Sequence, residues 1–323
     1  MIFDALILGA GPAGLAAASA LGRARRHVLV IAGSDYRNRA SHAMHGVLAC
    51  EGMNPIDFLT QSQHQITALY PNIRLESDTV QRAAQIGTPE SPAFEVQTAT
   101  GAVYQGRRLI LATGAIDELP NEIAGFETCW PDHIYQCLLC DGFERAERPF
   151  GVGVLAKPLS AHYVHLALRA RCFNKRVVVY TDGLYTKEQQ CETEKLFAPA
   201  LAQGVTLQHT AISRLEPLPT NKGPGAHIHL EGGKSERVDF LVYKTLTRPA
   251  SAHLALQLGL QINEIPGHGS VIACKEPTGA TSVPGVFVCG DAGSLIKGVA
   301  PAMAQGLCVA DVVWGGLLEE DKS

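Results

Sequence analysis

Near its start the chain carries a run that is apolar at every position, Ala5-Leu6-Ile7-Leu8, then Gly9-Ala10-Gly11-Pro12-Ala13-Gly14, then small and apolar residues through 21. A short unbroken apolar run bounded by glycines reads as a strand buried on both faces. The small-residue stretch 15–21 reads as a helix that packs close against it. Val28-Leu29-Val30-Ile31 repeats the strand pattern, as do residues 109–111 before Ala112-Thr113-Gly114, 151–155, 177–180, and 286–288 before Cys289-Gly290-Asp291. Helices are expected at 160–170 and 301–314. Buried strands alternating with helices predict an α/β protein with parallel sheets.

At 323 residues, 46% hydrophobic with 32 glycines, the chain is long enough for two such domains. The net charge is −4 with no basic run, which excludes a nucleic-acid partner. No apolar stretch approaches the roughly 18 residues of a membrane span, so no membrane association is expected. Glycines and a proline interrupt residues 2–21 where a turn belongs, so that segment is a motif rather than a targeting signal. The polar tail 319–323 reads as a solvated end.

The nine cysteines change the picture more. Cys137-Leu138-Leu139-Cys140 precedes Asp141 directly. Such spacing can close a small disulfide and activate one thiol, and it can also be half of a zinc site. The remaining seven cysteines are scattered singly, without a second pair or a matching histidine pair, so no metal site is expected. The scatter and the odd total also argue against a secreted disulfide framework and for a reducing, cytoplasmic setting. A redox pair is the reading that remains. Asp141 is then a candidate acid/base for thiol–disulfide exchange, or a helix N-cap.

Strand, G-x-G-x-x-G, helix and strand follow one another at the spacing of a dinucleotide fold. Gly9 permits the tight turn, Gly11 the close approach of a pyrophosphate, and Gly14 the close packing of helix on strand. The acid that usually ends the second strand is missing, and Ser34 or Asp35 stands in its place. Gly290-Asp291 ends another strand beside a helix start, where a carboxylate can hold a ribityl chain. Taken in order, these segments read as an FAD site.

Gly9 to Gly14, Ala112-Thr113-Gly114, Cys137 to Asp141 and Gly290-Asp291 together resemble the low-molecular-weight thioredoxin reductases, over essentially the whole chain. The resemblance implies FAD, a homodimer, and two Rossmann-like doubly wound domains. These would be an FAD domain of residues 1–115 with 246–323 and an inserted NADPH-type domain of residues 116–245. It implies that FAD contacts come from Gly9, Gly11, Pro12, Ala13, Gly14, Ser34, Arg37, Asn38, His45, Ala112, Thr113, Gly114, Gly290, Asp291 and Val299. By the same resemblance Cys140 is the flavin-proximal sulfur and Cys137 the sulfur that meets substrate.

The inserted domain departs from that family. Ala156, Lys157 and Pro158 stand where three turn glycines bind NADPH, and Thr181-Asp182-Gly183 stands where arginines grip a 2′-phosphate. Proline has no N–H to offer, and Asp182 repels phosphate. Intact FAD motifs and a dithiol without an NADPH site resemble the dithiol oxidase branch, whose members close disulfides in natural products of the gliotoxin and holomycin types. Tyr36-Arg37-Asn38 and His42-Ala43-Met44-His45-Gly46 resemble that branch as well, whereas Asp141 stands where a histidine can occur. The implied partners are a small-molecule dithiol and molecular oxygen. A reductase fed by a protein donor such as ferredoxin is the alternative, and a flavoprotein that only binds dithiols is a third reading. His42 and His45 are candidates for the flavin or substrate pocket or for a polar core. His133 is either an aid to substrate deprotonation or a solvated loop residue.

Overall fold

The computed structural model describes residues 2–219 and 225–322. The chain divides into two compact units, residues 1–117 with 246–323 and residues 118–245.

In the first unit, strands Ile73–Ser77, Val28–Ala32, Ile2–Leu8 and Val103–Leu111 lie side by side and parallel. Strand Val103–Leu111 has two neighbours on its far edge. Its first half pairs antiparallel with Phe94–Thr98, and its second half pairs parallel with Val286–Val288. Along Ile2–Leu8, Ala5 and Ile7 enter one core with helix Pro12–Arg23, while Leu6 and Leu8 enter another with Leu254 and Leu258. This period of two, apolar on both faces, is why the run carried no polar position.

The first helix is longer than residues 15–21. It begins at Pro12, whose fixed φ and missing N–H suit the first helical position. The last helix, Val299–Glu320, also runs well beyond the expected 301–314. Leu317 is fully buried, and Glu320 pairs with Arg107 at 2.9 Å and with Arg108 at 2.5 Å. Asp321 pairs with Arg26 at 2.6 Å. Ion pairs thus tie the tail down through residue 321 while Glu319, Asp321 and Lys322 stay exposed, as a solvated end would; Ser323 lies outside the described residues. This helix is also long and apolar enough to cross a membrane, which corrects the expectation that no such stretch exists. Its buried side, Ala302, Gly306, Val309, Val313 and Leu317, packs into the unit's core.

The second unit holds a five-stranded parallel sheet in the order Thr206–Gln208, Val177–Tyr180, Val152–Leu155, Phe240–Val242, Ile134–Tyr135. Helices Ala161–Ala170 and Lys187–Leu201 contribute Tyr163, Ala167 and Phe197 to its core. Strands Ile212–Pro217, Ala226–Leu230 and Ser235–Val238 form a separate antiparallel sheet. Both units are Rossmann-like α/β folds.

Candidate functional site

Strands Ile2–Leu8, Val103–Leu111 and Val286–Val288 are parallel and end level with one another, Leu8 and Val288 both opposite Leu111. Their exits carry the three motifs of the first unit, at the carboxyl edge where α/β sheets bind ligands. Gly9 has φ +109°, and a Cβ there would stand 2.4 Å from the Ala112 carbonyl oxygen. A Cβ at Gly14 would stand 2.0 Å from the Gly9 oxygen, whereas one at Gly11 would meet nothing within 4 Å. Two of the glycines thus allow contact, and the third leaves space. A Cβ at Gly290 would fall 2.9 Å from that of Ala13, so the Gly290-Asp291 turn packs on the start of the first helix. Gly11 and Gly298 cap the helices that begin at Pro12 and Val299, and neither cap has a side chain that accepts a hydrogen bond. The open amides at the start of helix Pro12–Arg23, beside the gap at Gly11, fit the pyrophosphate of FAD.

Arg37 does something the sequence did not suggest. Its guanidinium, 15% exposed, donates to both oxygens of Asp117 at 2.6 and 2.9 Å and to Asp291 at 3.0 Å. Lys297 donates to the backbone oxygens of Asp291 and Ser294 at 2.9 and 2.8 Å, and the Gln305 side chain accepts from the Gly290 amide at 2.8 Å. Thr113 and Ser251 hydroxyls share a hydrogen bond of 2.5 Å, and Gly114 accepts from the Ala250 amide. Asp117, Ser251 and Gln305 had no assigned part, because their partners lie well away in sequence and no local motif marks them, whereas Lys297 bonds locally, to oxygens six and three residues back.

The other residues with implied FAD contacts follow strand Val28–Ala32. Ser34 is exposed beyond strand Val28–Ala32, and Asp35 turns outward to Arg39 at 3.2 Å. The Asn38 carbonyl closes a turn with the Ser41 amide. His42 is exposed; His45 is half-buried and pairs through Nδ1 with Glu51 at 2.7 Å. Neither histidine is a core residue. Glu51 also accepts from the Gly46 amide, and both hydrogen bonds hold its carboxyl below the usual range, that from His45 more strongly.

In the second unit Cys137 and Cys140 are joined as a disulfide. Each sulfur is therefore bonded to the other rather than available to a metal. Cys137 caps the one-turn helix Leu138–Asp141, so Asp141 ends that helix, and its reading as an N-cap does not hold. Leu138 is buried beneath the turn, and Gly142 packs on the Phe173 ring, where a Cβ would stand 3.0 Å away. Leu139 and Phe143 are instead 89% and 81% exposed. The buried Tyr135 hydroxyl donates to the Asp132 carbonyl at 2.6 Å and accepts from Arg145 at 3.1 Å. Burial pushes this hydroxyl's pKa up, and Asp141 is close enough to add to the rise while Arg145 opposes it. His133 is buried rather than solvated, and its Nδ1 accepts from the Gly225 amide at 3.0 Å. Burial lowers its pKa, so it serves as a neutral structural acceptor.

The altered nucleotide turn closes on itself. Lys157 Nζ lies 2.5 Å from Asp182 and 3.3 Å from Glu122. The Asp182 carboxylate, 8% exposed, also accepts from the Ile212 amide at 2.8 Å. The two departures noted in the sequence are therefore one feature, an ion pair joining the ends of adjacent parallel strands.

Residues 3–306 match the family described as pyridine nucleotide-disulphide oxidoreductase. Thioredoxin reductase aclD of Aspergillus oryzae is 34% identical, the match covering 100% of this chain and 98% of that protein. Thioredoxin reductase sirT of Leptosphaeria maculans is 32% identical over 95% of this chain and 91% of its own length. The crystal structure of HlmI is similar with a TM-score of 0.85 at 26% identity, covering 99% of this chain and 94% of that one. An oxidoreductase from Agrobacterium tumefaciens gives a TM-score of 0.85 at 29% identity, covering 98% and 99%.

Proposed function

The chain belongs to the pyridine nucleotide-disulphide oxidoreductases, a family of FAD flavoproteins, and we propose that within it this protein is a dithiol oxidase independent of NADPH. The observation that carries this reading is the closed nucleotide turn, where Lys157 and Asp182 satisfy each other. Without an NADPH site, electrons enter from a substrate dithiol and leave to molecular oxygen. One substrate thiolate attacks the Cys137 sulfur, the Cys137–Cys140 bond breaks, and the Cys140 thiolate leaves. The second substrate thiolate then displaces Cys137, which releases substrate as an intramolecular disulfide and the enzyme as a dithiol. Asp141, at the end of the same helical turn, accepts the proton that each thiol must lose. FAD held at the turns of Gly9 to Gly14 and Gly290-Asp291 would supply the two-electron acceptor for this dithiol and the route to oxygen, with hydrogen peroxide as the product. Leu139, between the two cysteines, and Phe143, three residues after the second, are exposed apolar side chains and support a small apolar natural product as substrate. The outward side of helix Val299–Glu320, with Leu307, Trp314 and Leu318 exposed, supports a homodimer.

The test mixes the purified yellow protein aerobically with dithiothreitol and, separately, with NADPH, while flavin absorbance and peroxide are followed. Bleaching and peroxide release with the dithiol alone are expected, and Cys137→Ser and Cys140→Ser should each abolish turnover. Rapid reduction by NADPH would overturn the reading, and reduction only by a ferredoxin-type donor would favour the protein-fed reductase.

A further inference from the structure

The three parallel strands Val152–Leu155, Val177–Tyr180 and Thr206–Gln208 begin on the edge opposite the turn at 156–158. At that edge, between their leading residues and strand Ser235–Val238, lies a cavity of about 540 Å³. Ligand sites of α/β sheets lie at the carboxyl edge, so this cavity is distinct from the closed nucleotide turn.

Its wall carries Arg176, Lys234 and Arg237 against a single acid, Glu236. That acid is fully engaged: it accepts from Tyr180 at 2.9 Å, from Gln208 at 3.0 Å and from Lys234 at 2.7 Å. Neither arginine has a carboxylate partner among the described residues. The Arg237 guanidinium lies 3.6 Å over the Phe150 ring, which holds its plane in one orientation. Its Nε is the one buried side-chain nitrogen or oxygen among the described residues that lacks a hydrogen-bond partner. A guanidinium held in one orientation with no carboxylate partner is left to take an anion from outside the chain.

We infer that this cavity is an oxyanion site that takes a phosphate or sulfate group, free or at the end of a small ester. A tetrahedral oxyanion accepts two N–H groups of a guanidinium fork at once. Arg237 is the preoriented fork, and Arg176 balances the second negative charge. The apolar ring beneath strengthens the attraction by excluding water from one side.

The test uses the FAD-loaded protein, so that the cofactor's own phosphate site is filled, in titration calorimetry at constant ionic strength balanced with chloride. The probes are inorganic phosphate and phenyl phosphate. One saturable site is expected, weakened about tenfold or more by Arg237→Gln, with flavin absorbance unchanged. Tighter binding of phenyl phosphate identifies an ester as the ligand class, and equal binding identifies the free anion. No saturable binding above the chloride control would overturn the inference. So would binding that persists in an Arg176→Gln/Arg237→Gln variant whose circular dichroism and melting are those of the parent.

Discussion

Arg37 holds two carboxylates at once, Asp117 and Asp291, all three side chains at most 16% exposed. Removing the arginine takes this cation from both acids at once, and breaking a buried pair costs about 3–5 kcal/mol. Arg37→Gln should therefore lower stability by that order in urea titrations and speed FAD release, read by fluorescence of the freed cofactor. Arg37→Lys keeps the charge but loses the bidentate fork, and should fall between. His133 gives a pH effect whose sign is set by burial. Its folded pKa lies below the ordinary value of 6.5, so near that pH the unfolded chain binds a proton the native state does not. Stability is complete above 6.5 and is lost as pH falls through and below it. The urea midpoint should drop between about pH 7.5 and about pH 5.5, and drop less in His133→Asn, whose side-chain oxygen still accepts from Gly225.

Among the elements, helices Pro12–Arg23 and Val299–Glu320 touch through a missing side chain. A Cβ at Gly306 would stand 2.1 Å from the Ala13 carbonyl oxygen. Gly306→Val must push helix Val299–Glu320 off the first helix, and overpacking of this kind costs about 1–3 kcal/mol. Because Pro12 to Gly14 begin the partner helix, FAD retention should fall together with the melting temperature. The nucleotide turn of the second unit allows a double-mutant cycle. Lys157→Met and Asp182→Asn should each destabilise, with a coupling of about 0.5–3 kcal/mol in denaturant unfolding, and neither should make the flavin reducible by NADPH. The motif strands and the first helix were legible from apolar runs and glycine spacing, because those patterns encode burial locally. The end of the last helix was not. Gly315 and Gly316 look like a stop, but the buried Leu317 and the clamp of Arg107 and Arg108 on Glu320 carry the helix past them.

For the whole molecule, the proposed homodimer makes a direct prediction. Leu307, Trp314 and Leu318 stand exposed along one side of helix Val299–Glu320, at helical spacing. Trp314→Lys combined with Leu318→Glu should convert a dimer to a monomer in sedimentation velocity while the circular dichroism stays unchanged. A parent protein that sediments as a monomer would remove the proposal.

The sequence by itself determined the α/β class, the glycine turn at 9–14, the dithiol at 137–140 and the altered turn at 156–158. Each is a contiguous pattern whose chemistry follows from its own residues. Tertiary structure alone decided which distant side chains meet. It joined Arg37 to Asp117 and Asp291, turned Lys157 and Asp182 from two apparent losses into one ion pair, buried His133 against Gly225, and set Arg237 over Phe150. Charged and polar groups find their partners across strands and turns that sequence spacing does not bring together, and parallel crossovers place those partners far apart along the chain.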